Sequence, residues 1–362
     1  MRRRKKPATS TKVGYAAWSR AGILFALAAG WGAACRVELG APTNTTAQVD
    51  GAPQGKVTIY TSMYREVIDQ VDPLLEAALP GVQVEWLQAG SEKIATRLDA
   101  ELSAGATPCD LVLTSDPLWY ERQARAGHLL PYASLRALAL DRRFVRRDGA
   151  YVTSRLSTMV IAYDKKKVPA DQAPRTFAAL FSDPWRGRVT LPDPLGSGTT
   201  FTSLAVLLGR DPAMLARIRG AQVVASGGNS STLTRIESGE QQVGMVLLEN
   251  VLEAQARGGA LGLVVPEDGP VVVPGPIALL RLSPNPHAAR AVYDLLLSEP
   301  VQRALVEGRL HSPFEELPAP KEAPGIQVLL SSPYQVDANF LEQALTRDEQ
   351  LREDLAHLRP TP

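Results

Sequence analysis

The spacing of apolar residues along the chain alternates between the patterns that distinguish strands from helices. In the first part of the folded sequence, short β-rich runs alternate with stretches in which apolar residues recur every three or four positions. The predicted elements are strand 56–60, helix 64–79, strand 82–87, helix 91–104 and strand 111–113. This alternation predicts an α/β fold with a parallel sheet covered on both faces, whose ligand crevice lies at the carboxyl ends of the strands.

A second unit repeats this pattern. Its predicted elements are strand 188–191, helix 199–208, strand 222–224, helix 231–238, strand 244–248 and a helix ending at 257. Long extended segments at 151–163 and 270–280 flank the unit, and a chain that crosses to a second lobe and returns needs two such connections. Helices are also predicted at 287–307 and at 334–358, and we expect the charges of the last region to face solvent.

The N-terminal segment has the order of a secretory signal. Seven basic residues and no acidic residue precede Cys35, and the 14 residues just before that cysteine, 21–34, are mostly apolar and end in small side chains. This run is short for a membrane span, which needs about 20 residues. An uncleaved N-terminal anchor is the alternative to cleavage.

Cys35 directly follows Gly-Ala-Ala and resembles the acylated cysteine of a bacterial lipobox, although Gly32 stands where a larger aliphatic residue is typical. Residues 36–55 contain too few bulky apolar groups to fold and predict a tether. We therefore expect a periplasmic protein that is anchored to the membrane by a lipid on Cys35. The predicted parts are signal peptide 1–34, tether 35–55, first part of lobe 1 56–154, lobe 2 155–270, return crossover and lobe 1 completion 271–318, and C-terminal helical region 319–362.

Composition and motifs exclude several function classes. With 362 residues, 45% of them hydrophobic, the chain can bury more than one core. Without the seven N-terminal cations, 32 basic residues stand against 38 acidic residues, so the chain has no general electrostatic reason to bind nucleic acid. The sequence has no Gly-x-Ser-x-Gly or His-Glu-x-x-His motif and no Cys pair for a metal, and Cys109 precedes a strand-like run that predicts a packed thiol.

Hydroxyl-bearing residues stand between a predicted strand and a predicted helix at five places. The free N–H groups and the positive dipole end of a helix start bind anions without a cation, although each of these residues could instead be a plain N-cap. Because the five places face one crevice, we predict an anion site there. The candidate ligand contacts are Thr61, Ser62, Ser91, Thr114, Ser115, Ser197, Gly198, Thr199, Thr200 and Ser230.

Three further residues have two readings each. Arg155, in the first extended segment, could offer a guanidinium fork to an anion, but a hinge-surface charge is the commoner role. Trp119 and Tyr120 could wall an organic part of the ligand, but aromatic residues at a helix start more often belong to the core.

Several passages, in this order and spacing, resemble a known family. They are VTIYTS at 57–62, AGSEK at 89–93 with 97–98 and 101, DLVLTS at 110–115 with AGHLLPY at 126–132, and AARAVYDLLLSEPVQ at 288–302. The chain is similar to the periplasmic solute-binding proteins of bacterial ABC importers, in the branch that includes ferric-ion-, phosphonate- and sugar-phosphate-binding proteins. The resemblance implies a periplasmic-binding-protein fold: two doubly wound α/β lobes joined by a two-segment hinge. It also implies a monomer that binds a small solute, has no cofactor and works with an ABC permease and its ATPase.

The resemblance also implies where a ligand would bind. Ferric members hold iron with a His, a Glu and a Tyr pair, and the corresponding places here are occupied by Tyr64, Ser115, Val251 and Leu252, with Glu249 and Asn250 as the nearest polar substitutes. Aliphatic residues offer no ligand to ferric iron. The phosphate-holding features of those proteins persist as the turn at 197–199 and Asn229. We therefore expect a non-enzymatic binding protein for a solute that carries its own phosphate or phosphonate, such as a phosphorylated sugar or an aminophosphonate. A ferric carrier with substitute ligands and an exported hydrolase are the alternatives.

Overall fold

The structure, a computed structural model, describes residues 51–358. The predicted signal peptide, the acylation site Cys35 and most of the predicted tether lie outside the described residues. Within residues 51–358, no helix combines the length and the apolar character needed to cross a bilayer.

Strands and helices alternate through most of the described chain. The strands are β1 Gly55–Thr61, β2 Val82–Gln88, β3 Leu111–Leu113, β4 Leu129–Leu130, β5 Val152–Asp164, β6 Val189–Leu191, β7 Val224–Ala225, β8 Val243–Leu247, β9 Leu261–Val264 and β10 Val271–Leu280. The helices are α1 Arg65–Ala78, α2 Ser91–Ser103, α3 Pro117–Arg125, α4 Phe177–Leu180, α5 Gly198–Arg210, α6 Met214–Gly220, α7 Asn229–Glu237, α8 Leu248–Ala256, α9 Pro286–Leu296, α10 Glu299–Glu307, α11 Ile326–Leu330, α12 Ala338–Leu345 and α13 Asp348–Ala356.

The strands form two half-sheets that share a central antiparallel pair. The strand order is β2-β1-β3-β10-β5-β8-β6-β7, with β4 paired to β10 and β9 paired to β5. β1 is parallel to both β2 and β3 in one half, and β6 is parallel to both β7 and β8 in the other. These two halves, with the helices that cover them, are the two predicted α/β units, and we call them lobe 1 and lobe 2.

β5 and β10 run through both lobes and connect them. Ile277 of β10 pairs with Val152 of β5 and with β3 in lobe 1, whereas Met159 of β5 pairs with Val271 and with β8 in lobe 2. Between these points the register shifts at Gly275 and Pro276. The two extended segments predicted from the sequence are therefore neighbouring strands of a two-segment hinge.

Each lobe has a core on both faces of its half-sheet. In lobe 1, one buried cluster joins α1, α9 and α10 to the sheet and another joins α2 and α3. In lobe 2, one cluster joins α5, α6, α12 and α13 to the sheet and another joins α7 and α8. All 13 residues of β5 are buried, as expected for a strand covered on both faces.

Three expectations from the sequence need correction. The predicted strand 222–224 starts later, at Val224, because Gln222 has a left-handed backbone with φ of 52°. The strand predicted at 244–248 ends at Leu247, and Leu248 already belongs to α8. The charges of the C-terminal helices do not all face solvent, because Asp348 pairs with Arg122 of lobe 1.

Candidate ligand-binding cleft

A cavity of about 320 Å³ lies between the lobes, at the carboxyl ends of β1, β3 and β6. The folding of both units brings ten of the thirteen predicted contacts to its wall. They are Ser62, Ser91, Ser115, Arg155, Ser197, Gly198, Thr199, Asn229, Ser230 and Glu249. A volume near 300 Å³ is that of a small-molecule site.

Arg155 on β5 borders the cavity from the hinge. Its side chain is only 2% exposed, and its Nη2 donates hydrogen bonds to Ser62 Oγ at 3.1 Å and Ser115 Oγ at 3.0 Å. Its Nη1 is buried and has no partner among the described residues. At Gly275 on the neighbouring strand, an added Cβ would lie 2.7 Å from Arg155 Cγ, so glycine leaves room for this side chain.

This burial decides between the two readings of Arg155. The hinge-surface reading is wrong, because the guanidinium lies inside the protein. Removal from water lowers the pKa of Arg155 from its usual value, since burial disfavours the charged form. Two serine hydroxyls offer hydrogen bonds but no charge, and the one carboxylate that acts on Arg155, Glu249, has a raised pKa of its own, so the buried cation is only partly compensated. The position therefore suits an anion that enters the cavity.

The first turn of α5 faces the cavity from lobe 2. Ser197 is its N-cap, and Ser197 Oγ accepts a hydrogen bond from Thr200 N at 3.4 Å and lies 3.1 Å from Thr199 Oγ1. The capping reading is thus correct for Ser197, which nevertheless also lines the cavity. The N–H groups of Gly198 and Thr199 belong to the first turn and have no carbonyl within the helix, so they remain available to an anion.

Asn229 stands beside this turn, at the start of α7. Its Nδ2 donates to Thr199 Oγ1 at 3.4 Å, whereas its buried Oδ1 has no partner among the described residues. The two helix starts of lobe 2 are therefore adjacent, as the sequence predicted. Together they place amide and hydroxyl groups on the wall of the cavity that Arg155 also lines.

Glu249 is the only carboxylate among the described residues that line the cavity. It is 5% exposed, and its Oε1 has no partner within the described chain. Burial raises the pKa of Glu249 to about 7, although hydrogen bonds from Ser157 and from backbone N–H groups and the charge of Arg155 act in the opposite direction. Near neutral pH this side chain can accept a hydrogen bond as a carboxylate or donate one as an acid.

The structure does not bring three predicted contacts to the cavity. Thr61 Oγ1 donates to the Leu113 carbonyl, Thr114 bonds to Tyr120 Oη, and Thr200 Oγ1 donates to Ser197 Oγ. All three threonines are buried and hold the loops that carry the lining residues.

The aromatic residues Trp119 and Tyr120 belong to the core of lobe 1. Both are at most 1% exposed, and their polar atoms donate to Asp99 Oδ1 and to the Val112 carbonyl. The core reading of these two residues is therefore correct, and neither lines the cavity.

Sequence reasoning did not predict every lining residue. Ser157, Gln88 and Tyr64 border the cavity, although Tyr64 had been considered only as an iron-ligand position. Ser157 could have been found from Arg155, because residues two apart on a strand point to the same face. Tyr64 Oη donates to Asn250 Oδ1 at 2.9 Å and so connects lobe 1 to lobe 2 across the cavity rim.

Comparison with known proteins assigns this chain to a family. The family described as bacterial extracellular solute-binding protein has a sequence model that matches residues 56–308. The chain belongs to this family. The match covers well over half of the chain, including both lobes and both hinge strands. A search of curated proteins gives no match.

Solved structures with the same fold include several solute-binding proteins. Iron-bound HitA from Pseudomonas aeruginosa is 18% identical with a TM-score of 0.72, over 83% of this chain and 99% of that one. AfuA from Actinobacillus pleuropneumoniae, with fructose-6-phosphate bound, is 18% identical with a TM-score of 0.73, over 84% and 98%. A substrate-binding protein of an ABC transporter from Agrobacterium tumefaciens is 17% identical with a TM-score of 0.76, over 86% and 96%. At these identities the likenesses show the periplasmic-binding-protein fold.

The positions assigned to an iron-binding tyrosine pair do not face the cleft. Val251 and Leu252 lie in the apolar cluster under α7 and α8, and each is at most 1% exposed. Of the residues beside them, Glu249 lines the cavity and Asn250 contacts Tyr64. Among residues 51–358, no group of three or more His, Cys, Asp or Glu side chains is arranged to hold a metal ion.

Proposed function

We propose that this solute-binding protein captures a small organic anion with a phosphate or phosphonate group and delivers it to an ABC permease. The observation that carries the proposal is Arg155: a buried guanidinium at the cavity, with one nitrogen that has no partner among the described residues and with two serine hydroxyls as hydrogen-bond partners. Arg155 is the only cation among the described lining residues. Its charge is best compensated by an anionic ligand.

The remaining donors fit a compact oxyanion. The first turn of α5 offers N–H groups, and Ser197, Thr199, Asn229 and Ser230 add side-chain hydrogen-bond donors around it. An oxyanion with several oxygens can accept from Arg155 and from this turn at once. Because most of these donors are neutral, the site can release its ligand to a permease as well as capture it.

Glu249 favours an organic ligand over inorganic phosphate. Glu249 lines the same cavity as Arg155, its buried Oε1 has no partner among the described residues, and leaving this atom without a hydrogen bond costs free energy. A hydroxyl or ammonium group on the ligand would satisfy it. Sugar phosphates and aminophosphonates have both the anionic group and such a donor.

A thermal-shift screen tests this proposal. The test compounds are fructose 6-phosphate, 2-aminoethylphosphonate, inorganic phosphate, sulfate, citrate and ferric citrate. A ligand at 100 times its dissociation constant adds about 2.7 kcal/mol to the folded state, a shift of about 4 °C for a chain of this size. We expect the largest shift from one of the two organic phosphorus compounds.

Other outcomes of the screen would contradict the proposal. A shift with ferric citrate that citrate alone does not give would identify a ferric carrier. In a separate assay, phosphate release from fructose 6-phosphate by the pure protein would identify a hydrolase. If no phosphorus compound shifts the melting temperature, the phosphate or phosphonate assignment fails.

We also propose that the protein is exported and held in the periplasm by a lipid on Cys35. The support is the order of basic, apolar and small residues before this cysteine and the apolar-poor residues 36–55 after it. In cells grown with radiolabelled palmitate, we expect label in the wild type and none in Cys35→Ala. Equal labelling of both proteins, or none in the wild type, would disprove acylation at this position.

A further inference from the structure

The C-terminal helices α12 and α13 lie outside the residues that the family's sequence model matches. Their apolar side chains pack into the core of lobe 2, and α12 also packs against α3 of lobe 1. The packed residues include Leu341, Ala344, Leu351 and Leu355. Arg352 of α13 also lies over the ring of Phe201 in α5, with 4.7 Å between its Cζ and the ring centroid.

The charged side chains of the same helices reach lobe 1. The salt bridges join Glu342 to Arg125 at 2.6 Å, Asp348 to Arg122 at 2.8 Å and Arg352 to Glu92 at 3.2 Å. Their lobe 1 partners belong to α2 and α3, the helices that follow the lining residues Ser91 and Ser115. The C-terminal helices therefore connect the two lobes directly behind the cavity wall.

Arg352 contacts an acidic pair that is buried at this junction. Glu92 is 8% exposed and Asp116 is fully buried, and Glu92 Oε1 and Asp116 Oδ2 both lack a partner among the described residues. The side chains of Glu92 and Asp116 interact directly, so one proton shared between them would give both a hydrogen bond. Glu92 Oε2 meanwhile accepts from Arg352 Nη1 at 3.2 Å.

The pair is covered by lobe 2 as well as by Arg352. A Cβ added at Gly198 of α5 would lie 2.9 Å from Asp116 Cβ, which shows how closely the lobes meet here. Burial raises the pKa of Glu92 to about 7, with the charge of Asp116 acting in the same direction and Arg352 opposing it. Burial also raises the pKa of Asp116, and the charge of Arg122 opposes this shift. Burial tends to lower the pKa of Arg352, but the charges of Glu92 and Asp348 raise it.

We propose that α12 and α13 form a latch that biases the lobes toward closure, in which Arg352 positions the buried Glu92–Asp116 pair and their shared proton stabilises the closed form. The inference rests on the proposed function, capture of a solute in the cavity between the lobes, and adds that the lobes close around it. Arg352 moves with lobe 2 and meets the acids of lobe 1 only when the lobes are together. Because Ser91 and Ser115 immediately precede Glu92 and Asp116, the latch also fixes two hydroxyls of the cavity.

The latch makes closure depend on pH. When the lobes separate, Glu92 regains water and its pKa returns toward the usual value, so closure takes up a proton. The stability that this proton gives to the closed form is fully present below the usual pKa of a glutamate. It is lost as the pH rises through about 7, the raised pKa of Glu92.

The test is small-angle scattering of the ligand-free full chain between pH 5.5 and 8.5, with unfolding curves to confirm folding. We expect the radius of gyration of the wild type to increase as the pH rises through about 7. The Glu92→Gln variant should stay compact at both pH 5.5 and pH 8.5, because the NH₂ group of the glutamine can donate to Asp116 while its carbonyl oxygen accepts from Arg352. Arg352→Gln should be more open than the wild type at pH 8.5, and Arg352→Lys should restore compactness.

A matched control is Arg303→Gln, which removes an exposed salt bridge within α10 and should leave the pH response unchanged. An unchanged wild-type radius of gyration across this pH range would overturn the latch, as would a Glu92→Gln variant that responds like the wild type. The scattering experiment needs no ligand, so its result does not depend on the thermal-shift screen. If the pH response appears while no phosphorus compound binds, the proposed function fails and the latch stands.

Discussion

Replacing Arg155 by Met should abolish most ligand binding while leaving the protein folded. Truncating one partner of a buried, hydrogen-bonded charge pair costs about 2–5 kcal/mol, which corresponds to an affinity loss of roughly 30-fold to several thousand-fold. Stability without ligand should change little, because the cost of burying the guanidinium disappears together with its hydrogen bonds to Ser62 and Ser115 and its attraction to Glu249. Calorimetric titration with the best compound of the screen and thermal unfolding without it measure both effects.

Arg155→Lys is the matched control for charge without geometry. A lysine keeps the cation but cannot bond both serines and also present a second nitrogen to the ligand, so its affinity should be intermediate. If Arg155→Met bound the ligand as tightly as the wild type, the buried guanidinium would not be the anion contact. The main support for the proposed function would then be gone.

The sequence was sufficient to predict the two α/β units and the hinge between them. Period-two and helical spacing identified most long elements, because their burial on one or both faces imposes that spacing on the residues. Some short elements, among them β4 and β9, escaped prediction. β9 pairs with β5 across about 100 residues of sequence, and its four residues have no local feature that distinguishes them from a loop.

The candidate site was predictable only where its chemistry lies at the start of a helix. Ser197 and Asn229 lie between a strand and the helix that follows it. Because the carboxyl ends of parallel strands meet at one edge of the sheet, the sequence could place both residues in one crevice. Burial of Arg155 was not predictable in this way, because it depends on β10 lying beside β5 with Gly275 opposite the arginine. The latch could not be predicted either, because a charged helix face has the same sequence pattern whether it is exposed to water or contacts another lobe.

Gly198→Ala should weaken binding by preventing complete closure of the lobes. An added Cβ would lie 2.8 Å from the Ser115 carbonyl oxygen and 2.9 Å from Ser91 Cβ, both in lobe 1. Overpacking of this kind costs about 1–3 kcal/mol, so affinity should fall about 5-fold to 150-fold. The clash exists only when the lobes meet, and alanine suits the first turn of a helix better than glycine does, so stability without ligand should not decrease.

Gly209→Ala provides the control in the same helix, because a Cβ there has no heavy atom within 4 Å. This variant should bind like the wild type and compact on ligand addition to the same radius of gyration. Gly198→Ala should bind weakly and remain more expanded at saturating ligand. Because the clash involves the carbonyl oxygen of Ser115, a backbone atom, no rotamer change in lobe 1 can relieve it. If Gly198→Ala nevertheless compacts fully with wild-type affinity, the lobes do not close at this contact, and the anion would have to be held by one lobe alone.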